Sequence, residues 1–153
     1  MMQIIDMFNK LKGLPGGTML FTRAVCLKAP YFSSIHPVIE EVKPAYVRVK
    51  LRKRRSVENH LKTVHAIAMC NMAELAGGLM TDVSVPKGSR WIPSGMTVKY
   101  LKKAKTDLIA VADGSHIDWS QEGEIIVPVM VSDTNNDIVF SAEITMNVKK
   151  GKA

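Results

Sequence analysis

The run from Ala66 to Thr81 carries one charged side chain, Glu74, among alanine, methionine, leucine and glycine. The segment from Val64 to Met80 lacks proline and is rich in good helix formers, so residues 64–80 read as a long helix. At about 100° per residue, Ala68, Met69, Met72, Ala76 and Leu79 share one side, and Ile67, Cys70, Asn71, Gly77 and Gly78 fall on the side of Glu74. A helix this apolar must be covered on several sides, and a lone carboxylate within it must find partners or a proton. That constraint decides both the architecture and where to look for chemistry. The adjacent Gly77 and Gly78 admit a close neighbour to the Glu74 side or help end the helix.

The cover comes from strands. Tyr46, Val47, Val49 and Leu51 alternate largely with Arg48, Lys50 and Arg52, the period-two pattern of a strand with one wet face. After a loop with Pro86, Gly88 and Pro93, strand-like runs recur at Met96–Ala104, Asp107–His116, Glu124–Ser132 and Ile138–Val148. Asp113-Gly114, Glu122-Gly123 and the polar cluster Asp133–Asp137 supply turns, so residues 96–149 read as a four-strand antiparallel meander. Pro128 suggests an edge or a bulge. Upstream, Ile4, Ile5, Met7, Phe8 and Leu11 are spaced for a short amphipathic helix, ended by Gly13, Pro15, Gly16 and Gly17, so residues 1–17 form a helix and a glycine-rich turn. Thr18–Ala29 has no clear period, and Ile39–Val42 reads as a short strand before Pro44. A long helix wrapped by a curling antiparallel sheet is an α+β architecture, the hotdog fold, expected here as a single domain over residues 1–153.

Lysine and arginine outnumber acids by 21 to 14, giving a net charge of +7, which suits a polyanionic partner: nucleic acid or a phosphorylated small molecule. The excess gathers in Lys50, Arg52, Lys53, Arg54 and Arg55 and again in Lys99, Lys102, Lys103 and Lys105, which as plain solvated strand ends would need no ligand. No nucleic-acid motif accompanies the charge, so that partner is not favoured. Cys26 and Cys70 form no CxxC pair, which leaves no basis for a disulfide framework or a cysteine metal site. The opening MMQIIDMFNK has neither a secretory apolar core nor a membrane span, and a cytoplasmic location is expected.

The stretch Asn59-His60-Leu61-Lys62-Thr63-Val64-His65-Ala66-Ile67, continuing through Met72-Ala73-Glu74, resembles the acyl-CoA thioesterases of the hotdog superfamily, particularly the phenylacetate-pathway type. Asn59 precedes His65 by six positions and Glu74 follows it by nine, the spacing of the family's asparagine, histidine and acid. The resemblance extends from about Val57 to Lys149 and is closest to uncharacterised thioesterase-like members. It departs where Ala66 and Ile67 replace a Gly-Gly pair, where glutamate replaces the aspartate common in the phenylacetate type, and where Thr106 stands in a turn that often holds glycine.

The resemblance implies hydrolysis of an acyl thioester to free acid and coenzyme A, within fatty acid metabolism and with no cofactor or metal beyond the coenzyme A of the substrate. Glu74 would be base or nucleophile, Asn59 would orient water or the carboxylate or else serve only as a turn residue before the helix, and His65 would cap the helix, hold the loop in place or contact substrate. Backbone N–H groups of Ala66 and Ile67 would face the oxyanion, since any residue but proline supplies that donor. Arg52, Arg54 and Arg55 are candidates for the phosphates of coenzyme A and Gly77 and Gly78 for the substrate surface beside Glu74, while Trp91 and Met96 read first as core or interface packing and otherwise as lining of an acyl channel. Because the family site lies between two subunits, a homodimer or dimer of dimers is implied. A noncatalytic acyl-CoA or lipid-binding protein of the same fold is the main rival. A dehydratase or hydratase using His60, fourteen residues before Glu74, is less favoured because the Pro-Gly-rich connection of that arrangement is missing.

Overall fold

The computed structural model describes residues 3–151; Met1, Met2, Lys152 and Ala153, and the readings that touch them, lie outside it. In chain order the elements are α1 (Ile4–Leu11), α2 (Gly17–Lys28), a 3-10 turn (Pro30–Ile35), β1 (Pro37–Lys43), β2 (Tyr46–Leu51), a second 3-10 turn (Arg55–Val57), α3 (Ala66–Ser84), β3 (Arg90–Tyr100), β4 (Leu108–Asp113), β5 (Gly123–Ser132) and β6 (Ile138–Lys149). The six strands form one antiparallel sheet in the order β1-β2-β4-β5-β6-β3.

Alternation along the strands explains which face is dry. Val47, Val49 and Leu51 of β2 are fully buried while Tyr46, Arg48 and Lys50 between them are partly exposed, and in β5 Ile125, Val127, Val129 and Val131 alternate with exposed or half-buried residues. The buried rows face α3, whose Met72, Ala73, Ala76 and Met80 are inaccessible to solvent. Small residues bring this helix close to the sheet: a Cβ on Gly77 would sit 2.9 Å from Ile144 Cδ1 and 3.3 Å from Val127 Cγ1. The helix continues to Ser84, so the glycine pair is a packing feature inside it and not its end. A long helix against a wrapped antiparallel sheet is the hotdog fold.

Two sequence expectations change. Strands β3 to β6 are not a consecutive meander: β3 pairs along its length with β6 at the sheet edge, and β4 lies between β2 and β5. The lysine-rich link from residue 101 to 107 looks like a hairpin turn but carries the chain from that edge to the sheet interior, anchored where Ala104 C=O accepts from Val64 N–H at 2.8 Å. Strand β3 also begins at Arg90, since an edge strand absorbs Pro93 and the register shift before Gly95. Pro128 sits in an interior strand, yet β4 pairs with β5 only from Val129 to Ser132, so the proline has a strand partner on the β6 side alone.

The weakly patterned segment after Gly16 is the helix α2. Gly16 stands in the left-handed conformation at φ 71° as its N-cap, and Gly17 packs so tightly that a Cβ would lie 1.7 Å from Leu11 C=O. Buried Thr22 fastens α2 to β1: its hydroxyl donates to Thr18 C=O (2.8 Å) and accepts from Ile39 N–H (2.9 Å). Helices α1 and α2 meet through Phe8 and Phe21, whose ring centroids are 5.0 Å apart in an edge-to-face pair. Together with the 3-10 turn they roof the flank of α3 that the sheet leaves open.

Candidate functional site

On α3, Ile67, Cys70, Glu74 and Gly78 follow one another at steps of three or four, forming a stripe along one face. Glu74 is half-buried and has no hydrogen bond or ion pair among the described residues. It opens onto a cavity of about 240 Å³ lined by Ile4, Val25, Phe32, Gly78, Leu79 and Trp91, with Lys28, Ala29, Leu75 and Asp82 completing the wall. At the far end Trp91 Nε1–H donates to Asp82 Oδ1 at 3.1 Å, which fixes the indole against Gly78.

One turn before Glu74, the Cys70 thiol lies 4.0 Å from the Tyr100 hydroxyl. Burial pushes that thiol above its ordinary range, and the tyrosine contact opposes the rise without cancelling it. Asn71, almost fully buried, donates from Nδ2 to Ser34 Oγ at 3.2 Å, and its Oδ1 has no partner among the described residues.

The start of α3 forms a second depression, of about 380 Å³, lined by Asn59, Thr63, Ala66, Met69, Tyr100, Lys102 and Lys103 among others. His65 is the N-cap: its Nδ1 accepts from Ile67 N–H at 3.0 Å, so this ring nitrogen carries no proton. The donor expected at Ile67 is therefore occupied, and the Ile67 side chain is exposed. The N–H of Ala66 has no partner among the described residues.

Asn59 works locally. Its Oδ1 accepts from Leu61 N–H (2.9 Å) and Thr63 N–H (3.2 Å), and its Nδ2 donates to Thr63 Oγ1 (2.9 Å), closing the turn that places Lys62 at φ 58°. His60 is exposed in that turn.

Within one chain these groups do not converge. Glu74 stands eight residues into α3 from Ala66, about 12 Å at 1.5 Å per residue, and the two line different depressions. Of the glycine pair, Gly78 lines the cavity beside Glu74, whereas Gly77 faces the sheet. Met96 is outside the cavity that Trp91 lines.

The loops at the start of α3 gather positive charge. Lys53 N–H donates to Asp107 Oδ1 (2.9 Å) and Val64 N–H to Ala104 C=O, so both basic sets share one end of the molecule. Arg52, Arg54 and Arg55 are exposed and carry no ion pair among the described residues; Lys53 is held by Glu58 at 2.6 Å and Lys102 by Asp137 at 3.3 Å. Sequence reasoning passed over Lys102 and Lys103 as rim residues because they were read as part of a strand end. It also missed Ile4, Val25 and Phe32, whose cavity role depends on how α1 and α2 fold back on α3.

No helix of the described residues is long and apolar enough to cross a membrane, and no cluster of three or more potential metal ligands occurs among them. A comparison with curated proteins finds no match. Among solved structures, a structural-genomics target, APC5556, shares 49% identity over 97% of this chain and 99% of its own, with a TM-score of 0.88. A Pseudomonas aeruginosa protein described as a probable thioesterase is 21% identical over 89% of this chain and 96% of its own, TM-score 0.75. A Streptococcus mutans protein solved with acetyl-CoA is 18% identical over 75% and 90%, TM-score 0.64. These likenesses agree with the hotdog architecture, and the family model for a domain of unknown function, DUF4442, matches residues 17–148. The chain belongs to the DUF4442 family.

Proposed function

We propose that the protein is an acyl-CoA thioesterase in which Glu74 of one protomer and the first turn of α3 of a second form each site. The observation that carries this reading is Glu74 itself, a half-buried acid without a hydrogen bond or ion pair among the described residues, at an apolar cavity. A carboxylate left without a partner beside an apolar cavity calls for an explanation, and a role in catalysis supplies one. Glu74 acts as general base toward a water, or as nucleophile, at the thioester carbonyl; the developing oxyanion takes the N–H of Ala66, where the helix dipole adds positive potential.

The separation of about 12 Å along α3 is why a second copy is needed. Strand β3 offers the seam: eleven residues of sheet edge, most of them exposed, with Met96 and Tyr100 turned toward the α3 side. Arg52, Arg54 and Arg55, with Lys102 and Lys103, form the basic rim for the phosphates of coenzyme A. Asn59 and His65 shape the helix start and keep Ala66 in place, which makes them positioning residues.

Thiol release from a panel of acyl-CoAs tests the activity, and Glu74→Gln should lower kcat by about 10²- to 10⁴-fold while acyl-CoA still binds. The bond from Ile67 N–H to His65 Nδ1 favours a second reading, a noncatalytic acyl-CoA carrier, since it removes one of two expected oxyanion donors. Tight binding without thiol release from any acyl-CoA would establish that alternative.

A further inference from the structure

We infer that the cavity beside Glu74 is the acyl-chain pocket, that the N-terminal helices build its roof, and that it measures a straight medium-length chain of eight to ten carbons. The inference rests on the thioesterase reading only for its entrance at Glu74; the size and lining of the pocket stand independently.

The cavity is half-open, and its volume of about 240 Å³ leaves room for an alkyl chain while its extent along α3 sets how much of one it covers. In length, the lining residues of α3 run from Glu74 through Leu75, Gly78 and Leu79 to Asp82, a rise of about 12 Å over eight residues. An extended alkyl chain advances about 1.25 Å per carbon, from a C–C bond near 1.5 Å and an angle near 111°, so about ten carbons fit along that path.

The chemistry of the wall changes along its length. Ile4, Val25, Phe32, Leu79 and Trp91 are apolar, and Gly78 leaves room because a Cβ there would lie 3.1 Å from the Trp91 ring. At the far end stand the Asp82 carboxylate, held by the indole N–H, and Lys28. Both groups are exposed, so a chain that passes Trp91 emerges into solvent and gains nothing further from burial. Up to that point each methylene improves binding about fourfold, the equivalent of its transfer from water.

Four of the five roof residues, Ile4, Val25, Lys28 and Ala29, come from α1, α2 and the end of α2, and the fifth, Phe32, from the 3-10 turn. Chain length is thus read by a segment distant in sequence from Glu74 and the start of α3.

The test compares acyl-CoAs from C4 to C16 with the full-length protein, reading kcat/KM for thiol release and, in parallel, displacement of a fluorescent fatty acid by octanoate and palmitate. Wild type should peak at C8–C10. Ala29→Phe, which fills the cavity from a half-exposed position, should lower the C8-to-C4 ratio at least tenfold, and Phe32→Ala should move the peak to longer chains. Leu27→Ala, on the exposed side of α2, should leave the profile as it is. Hydrolysis whose length profile ignores both Ala29→Phe and Phe32→Ala overturns the pocket while the thioesterase reading stands. No hydrolysis at any length, with octanoate binding that Ala29→Phe weakens tenfold, keeps the pocket and removes the enzyme. Neither hydrolysis nor octanoate binding overturns both.

Discussion

The imidazole Nδ1 of His65 accepts the N–H of Ile67 at 3.0 Å, so the second residue of α3 spends its donor on a cap, whereas the N–H of Ala66 has no partner among the described residues. His65 therefore acts on structure first. His65→Ala should cost about 1 kcal/mol of stability, the net worth of one hydrogen bond, seen as a lower midpoint in urea unfolding. Thioesterase activity at a temperature where the variant is folded should fall less than tenfold; a loss of 10³ or more would assign the imidazole a proton-transfer role.

Asn59 separates turn formation from water orientation. Asn59→Asp keeps the oxygen that accepts from Leu61 and Thr63, whereas Asn59→Ala removes it. The alanine variant should lose about 1–3 kcal/mol as two N–H groups lose their acceptor, and the aspartate variant should stay close to wild type in both stability and kcat. An aspartate variant that is stable but inactive would show that the amide touches the reacting groups.

Thr22 holds the roof to the sheet through a buried hydroxyl. Thr22→Val has nearly the same shape but leaves Ile39 N–H unsatisfied, and should destabilise by about 1–3 kcal/mol. Because α2 carries Val25 and Lys28 of the cavity wall, the same variant should also loosen acyl-length selection. Unchanged unfolding and selectivity would mean that water takes the place of the hydroxyl.

Burial raises the thiols of both Cys70 and Cys26, so less thiolate is present at neutral pH than in a free cysteine. The direction fixes the sign: for a raised acid, reactivity stays low below the ordinary thiol range near 8.5 and rises only above it. Iodoacetamide labelling followed by mass spectrometry from pH 7 to 10 should show both cysteines slower than a model thiol at pH 7.5. Rapid labelling of Cys70 at that pH would contradict the buried setting beside Tyr100.

How much could be read from residues alone follows from the range of the interactions involved. Strand β2 and helix α3 declare themselves because their burial is periodic, with Val47, Val49 and Leu51 on one row and a nearly continuous apolar surface from Ala68 to Thr81. The place of β3 does not, since pairing with β6 rather than β4 is set by the path of the Leu101–Asp107 link and leaves no mark on alternation. Helix α2 is similarly hidden: Leu20 and Leu27 are exposed while Phe21 and Val25 are buried, which blurs the period. Glu74 stood out as a charge in an apolar run, and Ala66 through the resemblance. That His65 occupies Ile67, and that Asn59 is spent on Thr63, are facts of geometry at the hydrogen-bond scale.

The central claim is that Glu74 serves the helix start of another copy, and mixed dimers test it most directly. Ala66→Pro removes the N–H proposed as oxyanion donor, yet proline is well tolerated at the first helical position and His65 already has the extended backbone (φ −63°, ψ 138°) it requires. Glu74→Gln and Ala66→Pro should each be inactive alone. Unfolded and refolded together, they should regain about a quarter of wild-type thioesterase activity, because half the dimers are mixed and each mixed dimer has one intact site of two. Folded mixed dimers with no recovered activity would contradict a site shared between chains.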